Sequence, residues 1–250
     1  MVTANVCLRC DYHLLKLTYN EKLPDMLPGQ FVNVLVKNSP TIFLRRPISV
    51  NFVDRDRNEL WLLIRIVGEG TRRMTTFGKD EEVDVLLPLG NSFSMPENKS
   101  TRPLLIGGGV GTAPMLFLGA MLKEGGIEPT FLLGGRSEGD LLQLDDFRRY
   151  GALYVTTEDD TMGERGYVTN HSILNKERFD RIYCCGPKPM MKAVALYAKQ
   201  REIECEVSLE NTMGCGIGVC LCCVEDTKEG NLCVCTEGPV FNIKRLKWLD

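Results

Sequence analysis

Six of the eleven cysteines fall between Cys215 and Cys235, and their spacing is the strongest chemical signal in the chain. Cys215, Cys220 and Cys223 leave four and then two residues between them, with further cysteines beyond a short polar interval, which is the plant-type spacing of a [2Fe-2S] centre. Four thiolates would also suit zinc, although zinc sites more often show two close cysteine pairs. Gly214, Gly216 and Gly218 would let backbone amides turn toward the sulfurs, and such bonds help to set a cluster's potential. Cys222 adjoins Cys223 and must turn the other way, so it is expected to be a packing thiol. Spacing alone leaves Cys233 and Cys235 as equal candidates for the fourth ligand.

Two further groups of residues could hold nucleotides. Arg46, Pro47, Ile48 and Ser49 put a cation, a stiffened backbone and a hydroxyl where a strand begins, which suits a phosphate beside a planar ring. Gly68-Glu-Gly70-Thr71 follows another strand and offers a close-approach backbone and a hydroxyl to a pyrophosphate. Each could equally be a strand end or a tight turn. Gly107-Gly-Gly109-Val-Gly111-Thr112-Ala-Pro114 joins a buried strand to a helix, off the usual G-x-G-x-x-G spacing, and tight strand-to-helix packing would explain it as well. Cys185-Gly186-Pro187 sits at a second strand end, so the two turns could converge on one ligand. A nucleophilic Cys185 lacks a nearby histidine. His13 and His171, the chain's two histidines, are given no role, Cys184 is a core thiol, and Cys7 and Cys10 are incidental. The acidic turn Glu158-Asp-Asp160 reads as a solvated connection.

The elements that must carry these residues divide the chain in three. Residues 1–99 contain short β-branched or aromatic-rich strands over 30–36, 48–53, 60–67 and 82–87, separated by turn signals, and are expected to form an antiparallel β-barrel. Residues 100–206 alternate strands (104–106, 130–133, 154–157, 181–185) with helices, the pattern of a parallel sheet that binds ligands at its strands' carboxyl ends. Residues 207–250 form a small cysteine domain. The fold class is thus multidomain, β plus α/β. A net charge of −3 without a basic stripe gives no reason to invoke nucleic acid. No signal peptide or long apolar run is evident, so no membrane is expected and a cytoplasmic location is, in which crowded cysteines favour a metal centre over disulfides.

Arg46-Pro-Ile-Ser49 with Gly68-Glu-Gly-Thr71 resembles the flavin domain of the ferredoxin–NADP reductase superfamily, with Ile48 where many relatives carry the tyrosine that stacks on the flavin. The resemblance implies FAD binding at Arg46, Pro47, Ile48, Ser49, Leu63, Ile64, Arg65, Gly70 and Thr71. The glycine turn and Cys185-Gly-Pro187 resemble the nicotinamide domain of the same superfamily. This implies coenzyme contacts at Gly109, Gly111, Thr112, Gly186 and Pro187, with Cys185 beside the nicotinamide and flavin. Arg136 and Ser137 leave the choice between NAD and NADP open.

The order of flavin domain, nucleotide domain and cysteine loop, with Glu210-Asn-Thr-Met-Gly-Cys215 and Cys235-Thr-Glu-Gly-Pro239, resembles the electron-transfer subunits of dihydroorotate dehydrogenase B. That resemblance selects Cys215, Cys220, Cys223 and Cys235 as cluster ligands. It also implies an FMN-containing catalytic partner, assembled as a heterotetramer of two copies of each subunit, with electrons passing through the [2Fe-2S] cluster and FAD to NAD in pyrimidine biosynthesis. FAD suits the middle place because it exchanges electrons singly and in pairs. Two alternatives stand beside this reading. One is the small subunit of a transhydrogenase or sulfide dehydrogenase, in which an aspartate tends to replace one cluster cysteine. The other is a non-enzymatic redox-sensing module.

Overall fold

The computed structural model describes residues 1–250 apart from Cys10, Asn38 and Asp250, so the expectation for Cys10 lies outside the described residues. Alternating apolar residues build the first sheet. Strands β1 (Val2–Arg9), β2 (Tyr12–Thr18), β3 (Phe31–Val34), β4 (Arg46–Asp54), β5 (Glu59–Arg65) and β6 (Val85–Leu89) pair antiparallel in the order β1-β2-β5-β4-β3-β6. Leu15, Leu17, Val32, Val34, Val50, Leu60, Leu62 and Ile64 point to one shared core, as a period of two requires. The segment leading into β6 bonds the β1 edge: Val2 N–H donates to the Glu81 carbonyl at 2.9 Å and Asp80 N–H to the Val2 carbonyl at 2.9 Å. The β1–β2 hairpin is absent from the four strands expected by sequence: β1 is mostly half-buried or exposed and alternates weakly, and in β2 the adjacent Leu14 and Leu15 are both buried and break the alternation. A short helix, α1 (Glu69–Met74), follows β5.

The second sheet begins with β7 (Pro103–Gly108), which feeds the almost wholly buried helix α2 (Ala113–Glu124). It continues with β8 (Thr130–Gly135), α3 (Leu144–Tyr150), β9 (Ala152–Thr157), β10 (Glu164–Arg165), α4 (Ile173–Lys176), β11 (Arg181–Cys185), α5 (Lys188–Gln200) and β12 (Glu204–Ser208). These strands are parallel in the order β10-β9-β8-β7-β11-β12. Strand β7 has β8 on one side and β11 on the other, so the order reverses there, and a ligand crevice is expected outside their carboxyl ends.

After β12 comes the cysteine loop, then the hairpin β13 (Val224–Thr227) and β14 (Gly230–Cys233), helix α6 (Val234–Glu237) and β15 (Val240–Asn242). Strand β15 pairs antiparallel with β12, which itself crosses the expected division at 206/207. The cysteine segment is therefore stitched onto the parallel sheet. The two sheets are also joined: Asn51 Nδ2 donates to the Ala113 carbonyl at 3.1 Å, and Phe52 meets Phe117 and Tyr150 at ring-centroid distances of 5.9 and 6.0 Å. Among the described residues no helix is long and apolar enough to cross a membrane.

Candidate functional site

One groove lies where the two sheets and the cysteine segment meet. Its walls include Pro47, Ile48 and Ser49 of β4, Leu63 and Arg65 of β5, Val67, Thr71 of α1, Val110 and Ala113 of the glycine turn, and residues 208–213 before the cysteine loop. The antiparallel pairing explains part of this. Phe31 pairs with Ser49 and Asn33 with Pro47, so these four side chains share the outer face, while Val32 and Val34 turn inward. Ile64, expected as a flavin contact, has its side chain in the core, which leaves its backbone for a ligand. Gly70 is backed by Arg46, since a Cβ there would lie 2.2 Å from the guanidinium Nε. Arg46 Nη1 donates to the Leu44 carbonyl at 2.7 Å. The Thr71 hydroxyl receives the Val67 and Gly68 amides at 2.9 and 3.2 Å and closes the turn at the head of α1.

The two turns of the parallel sheet abut. Cys185 lies beside Gly107 in the ladder, and a Cβ on Gly111 would stand 2.5 Å from Gly186 Cα and 2.6 Å from the Cys185 carbonyl carbon. Gly109 has φ +56°, and its carbonyl accepts the Thr112 hydroxyl at 3.0 Å. Cys185 is buried, with its Sγ 4.0 Å from Glu210 Oε1, and burial pushes its thiol well above the ordinary range. An activated thiolate is thereby disfavoured. Glu210 stands inside the groove with its surface open to it, yet the surrounding protein raises its carboxyl pKa against the opposing pull of Arg65. Glu210, Asn211, Thr212 and Met213, together with Phe31 and Val67, are groove residues to which sequence reasoning gave no ligand contact. The available signal was their place directly before the cysteine loop or between recognised motifs.

The cysteine loop aims its amides at sulfur. Cys215 Sγ accepts N–H groups from Ile217 (3.4 Å), Val219 (3.3 Å) and Cys220 (3.4 Å), while Cys220 Sγ accepts that of Cys215 (3.3 Å). Cys223 Sγ accepts the Cys235 amide at 3.4 Å, and Cys235 Sγ that of Gly218 at 3.1 Å. Gly216 and Gly218, at φ +74° and +83°, make these directions possible. The Ile217 and Cys220 amides hold the Cys215 thiol down at about 6, in favour of the thiolate a metal needs. Burial and the neighbouring Cys223 push Cys235 up to about 12, a cost of crowding thiols that a bound cation removes. Cys233 also borders Cys223 but is less buried than Cys235. Amide-to-sulfur bonds thus link Cys215 with Cys220 and Cys223 with Cys235, while the Cys223 thiol also meets that of Cys233. Among the described residues no three ligating side chains form a single-ion site. Paired thiols beneath converging amides fit a cluster with two ligands on each iron. Cys222 departs from expectation: it is exposed and fills no core.

Away from the groove, His171 is buried, takes the Ile173 amide on Nδ1 at 3.0 Å and holds Nε2 3.6 Å from Glu164 Oε1. Cys184 is buried as expected.

A family model described as the iron-sulfur cluster binding domain of dihydroorotate dehydrogenase B matches residues 210–247, and one described as an oxidoreductase NAD-binding domain matches residues 105–196. The chain is 39% identical over 221 residues to the dihydroorotate dehydrogenase B (NAD(+)) electron transfer subunit of Shouchella clausii, covering 86% of this chain and 85% of that one. It belongs to the family of dihydroorotate dehydrogenase B electron-transfer subunits. The Fusobacterium nucleatum member is 36% identical over 249 residues, covering 96% of this chain and 94% of its own. Among solved structures, that of an NADH-dependent reduced ferredoxin-NADP oxidoreductase, described for flavin-based electron bifurcation, superposes with a TM-score of 0.86 at 28% identity, covering 99% of this chain and 89% of that one. An Amycolatopsis cytochrome P450 reductase shares the fold, with a TM-score of 0.69 at 24% identity, covering 81% of this chain and 65% of that one. This chain thus joins an antiparallel and a parallel-rich sheet to a segment that matches the iron-sulfur model.

Proposed function

We propose that this subunit carries electrons between a dihydroorotate-oxidising catalytic partner and NAD+, as part of pyrimidine biosynthesis, through a [2Fe-2S] cluster and FAD. One observation carries the reading: a single groove is walled by the β4 and β5 segments, the glycine turn and the residues leading into the cysteine loop. FAD, when bound, supplies the conversion between single-electron exchange with iron and hydride exchange with nicotinamide.

The residues divide that work. Arg46, packed over Gly70, and Thr71 at the head of α1 offer a cation and a helix start to a pyrophosphate. Pro47, Ile48, Ser49, Leu63 and Arg65, with the Ile64 backbone, border the flavin ring. Gly109, Gly111, Thr112, Gly186 and Pro187 supply the close-approach backbone for NAD at the switch point of the sheet. Cys185 stays protonated and borders the meeting place of the two rings, excluding water rather than attacking substrate. Cys215, Cys220, Cys223 and Cys235 hold the cluster. Beside them Ile217, Val219 and Leu221 are 52%, 76% and 64% exposed, an apolar rim suited to the partner. We further assign FMN to that partner, a two-plus-two heterotetramer to the assembly, a cytoplasmic location, and a three-part division at 99/100 and, in place of 206/207, after the end of β12, with the first sheet closed as a barrel.

The likeness to the bifurcating oxidoreductase favours, as a second reading, a flavin-linked transhydrogenase subunit on the same scaffold. Anaerobic titration with NADH, followed by visible absorption and electron paramagnetic resonance, tests the main proposal. Flavin bleaching and a rhombic two-iron signal are expected. Absence of either chromophore after reconstitution with iron and flavin would sink it. Reconstitution with the catalytic subunit and dihydroorotate should then reduce NAD+, and failure of that step alone would favour the second reading.

A further inference from the structure

Strand β3 carries one polar residue in an otherwise apolar run, Phe31-Val-Asn33-Val34, and it is buried to 1%. Asn33 faces outward with Phe31, cross-strand from Pro47, on the face whose Pro47 and Ser49 line the groove. Its Nδ2 donates to the carbonyl of Cys215 at 3.0 Å. Its Oδ1 is buried with no partner. An apolar side chain would fill this place without stranding an acceptor, so packing does not explain the amide. Turning the amide over would set oxygen against the Cys215 carbonyl and strand the Nδ2 group instead, so the observed orientation is the better one. The loop also fits closely over it: a Cβ on Gly216 would lie 2.4 Å from Asn33 Nδ2.

The far end of the loop is held in the same manner. Asn211 Nδ2 reaches the carbonyls of Cys223 (3.3 Å) and Val224 (3.4 Å) and Glu225 Oε2 (3.0 Å). Glu225 in turn takes Lys188 Nζ at 3.0 and 3.2 Å and Trp248 Nε1 at 3.0 Å. That end is thus tied to its own segment and to the parallel sheet. Among the described residues, Asn33 is the side chain of the first sheet that bonds the backbone of a cluster cysteine.

We propose that Asn33 is a positioning residue that fixes the Cys215 end of the cluster loop to the flavin wall and so sets the separation between cluster and flavin. This rests on the electron-transfer reading above. Electron transfer falls off exponentially with separation, whereas hydride transfer takes place on the nicotinamide side of the groove, where Asn33 makes no contact. The two steps should therefore respond differently to the loss of this one bond.

The test uses the full chain loaded with FAD and cluster, in the variants Asn33→Leu, which keeps bulk without a donor, and Asn33→Ser, which removes bulk. NADH is mixed anaerobically, and flavin bleaching and cluster reduction are followed separately by stopped flow and freeze-quench resonance. Flavin bleaching at the parental rate is expected, with cluster reduction slower by on the order of tenfold and the cluster's midpoint potential unchanged. Loss of the cluster with flavin content and flavin bleaching intact would also support the proposal, since the loop is then unseated while the fold survives. Cluster reduction at the parental rate in both variants would overturn it. So would a slower rate accounted for by a shifted potential, or loss of flavin along with the cluster. If the parent protein itself lacks either chromophore, the functional reading fails and not merely the role of Asn33.

Discussion

Two glycine-rich loops serve this molecule, and their glycines answer different physical demands. At the end of β7 and in the turn after it, Gly107 and Gly111 are needed because backbone comes too close: a Cβ on Gly107 would stand 2.9 Å from Thr112 Cα, and one on Gly111 would meet the Cys185–Gly186 backbone at 2.5–2.6 Å. In the cysteine loop, Gly216 and Gly218 are needed chiefly for direction, since their positive φ turns amides of the loop toward sulfur. The first loop is packed between neighbouring strands of a buried sheet. The second stands at the surface with Val219 76% exposed, and it is held by a few named bonds from other segments. Close packing makes a rigid cradle for a coenzyme, while a directed, lightly anchored loop makes a cage that only its metal completes.

This contrast can be broken most severely at the ligands. Replacing Cys215, Cys220, Cys223 or Cys235 by serine should abolish the two-iron resonance signal while NADH still bleaches the flavin, and Cys222→Ser and Cys233→Ser should retain the signal. A signal lost only with Cys233→Ser would move the fourth ligand.

The glycines give the next largest effect. Gly111→Ala forces a methyl group against immobile backbone, so it should cost about 1–3 kcal/mol, as overpacking does. The melting temperature should fall by roughly 2–4 °C for each kcal/mol, and flavin reduction by NADH should be impaired. Gly216→Ala instead places a side chain at φ +74° with its Cβ 2.4 Å from Asn33 Nδ2, a strain of about 1–2 kcal/mol that the surface loop relieves by lifting away from Asn33. Its melting temperature should barely move, while a chelator should strip the cluster about tenfold faster, the equivalent of 1.4 kcal/mol. Equal thermal destabilisation of the two variants would erase the distinction.

The smallest effect lies away from both loops. Burial lowers the pKa of His171, with Glu164 opposing. The unfolded chain therefore binds a proton more readily than the folded one. The stability this neutral imidazole contributes is present above the unfolded value of about 6.5 and is lost as pH falls through and below it. His171→Gln should make the decline of melting temperature between pH 7.5 and 5.5 shallower, and an identical slope would remove the assignment.

Much of this was legible in local sequence. The cysteine spacing is a property of contiguous chain, and a loop of that length with glycines at 214, 216 and 218 has few ways to present its sulfurs. The β7 and β11 turns could be read because strand, glycine and helix follow one another directly. Glu210 to Met213 were legible as a motif but not as groove walls, because their relation to β4 and β5 is made only when β12 joins the parallel sheet. Cys222 was misjudged because adjacency to a ligand says which way a thiol cannot point, and not whether protein or solvent lies on the other side. Strand β1 is illegible because a half-exposed strand carries little alternation, and β2 because its adjacent buried Leu14 and Leu15 break the period of two.

The sequence by itself determined which chemistry is present: thiolates at cluster spacing, and turns able to admit phosphates and rings. Covalent connectivity fixes those distances before folding begins. Only the tertiary structure decided how the centres stand relative to one another. The bond from Asn33 to Cys215 spans 182 positions of chain and exists because β3 pairs with β4 on one face and the cysteine loop closes over the same face. No local pattern encodes that approach, since it is the joint outcome of two sheets packing and a third segment being stitched between them.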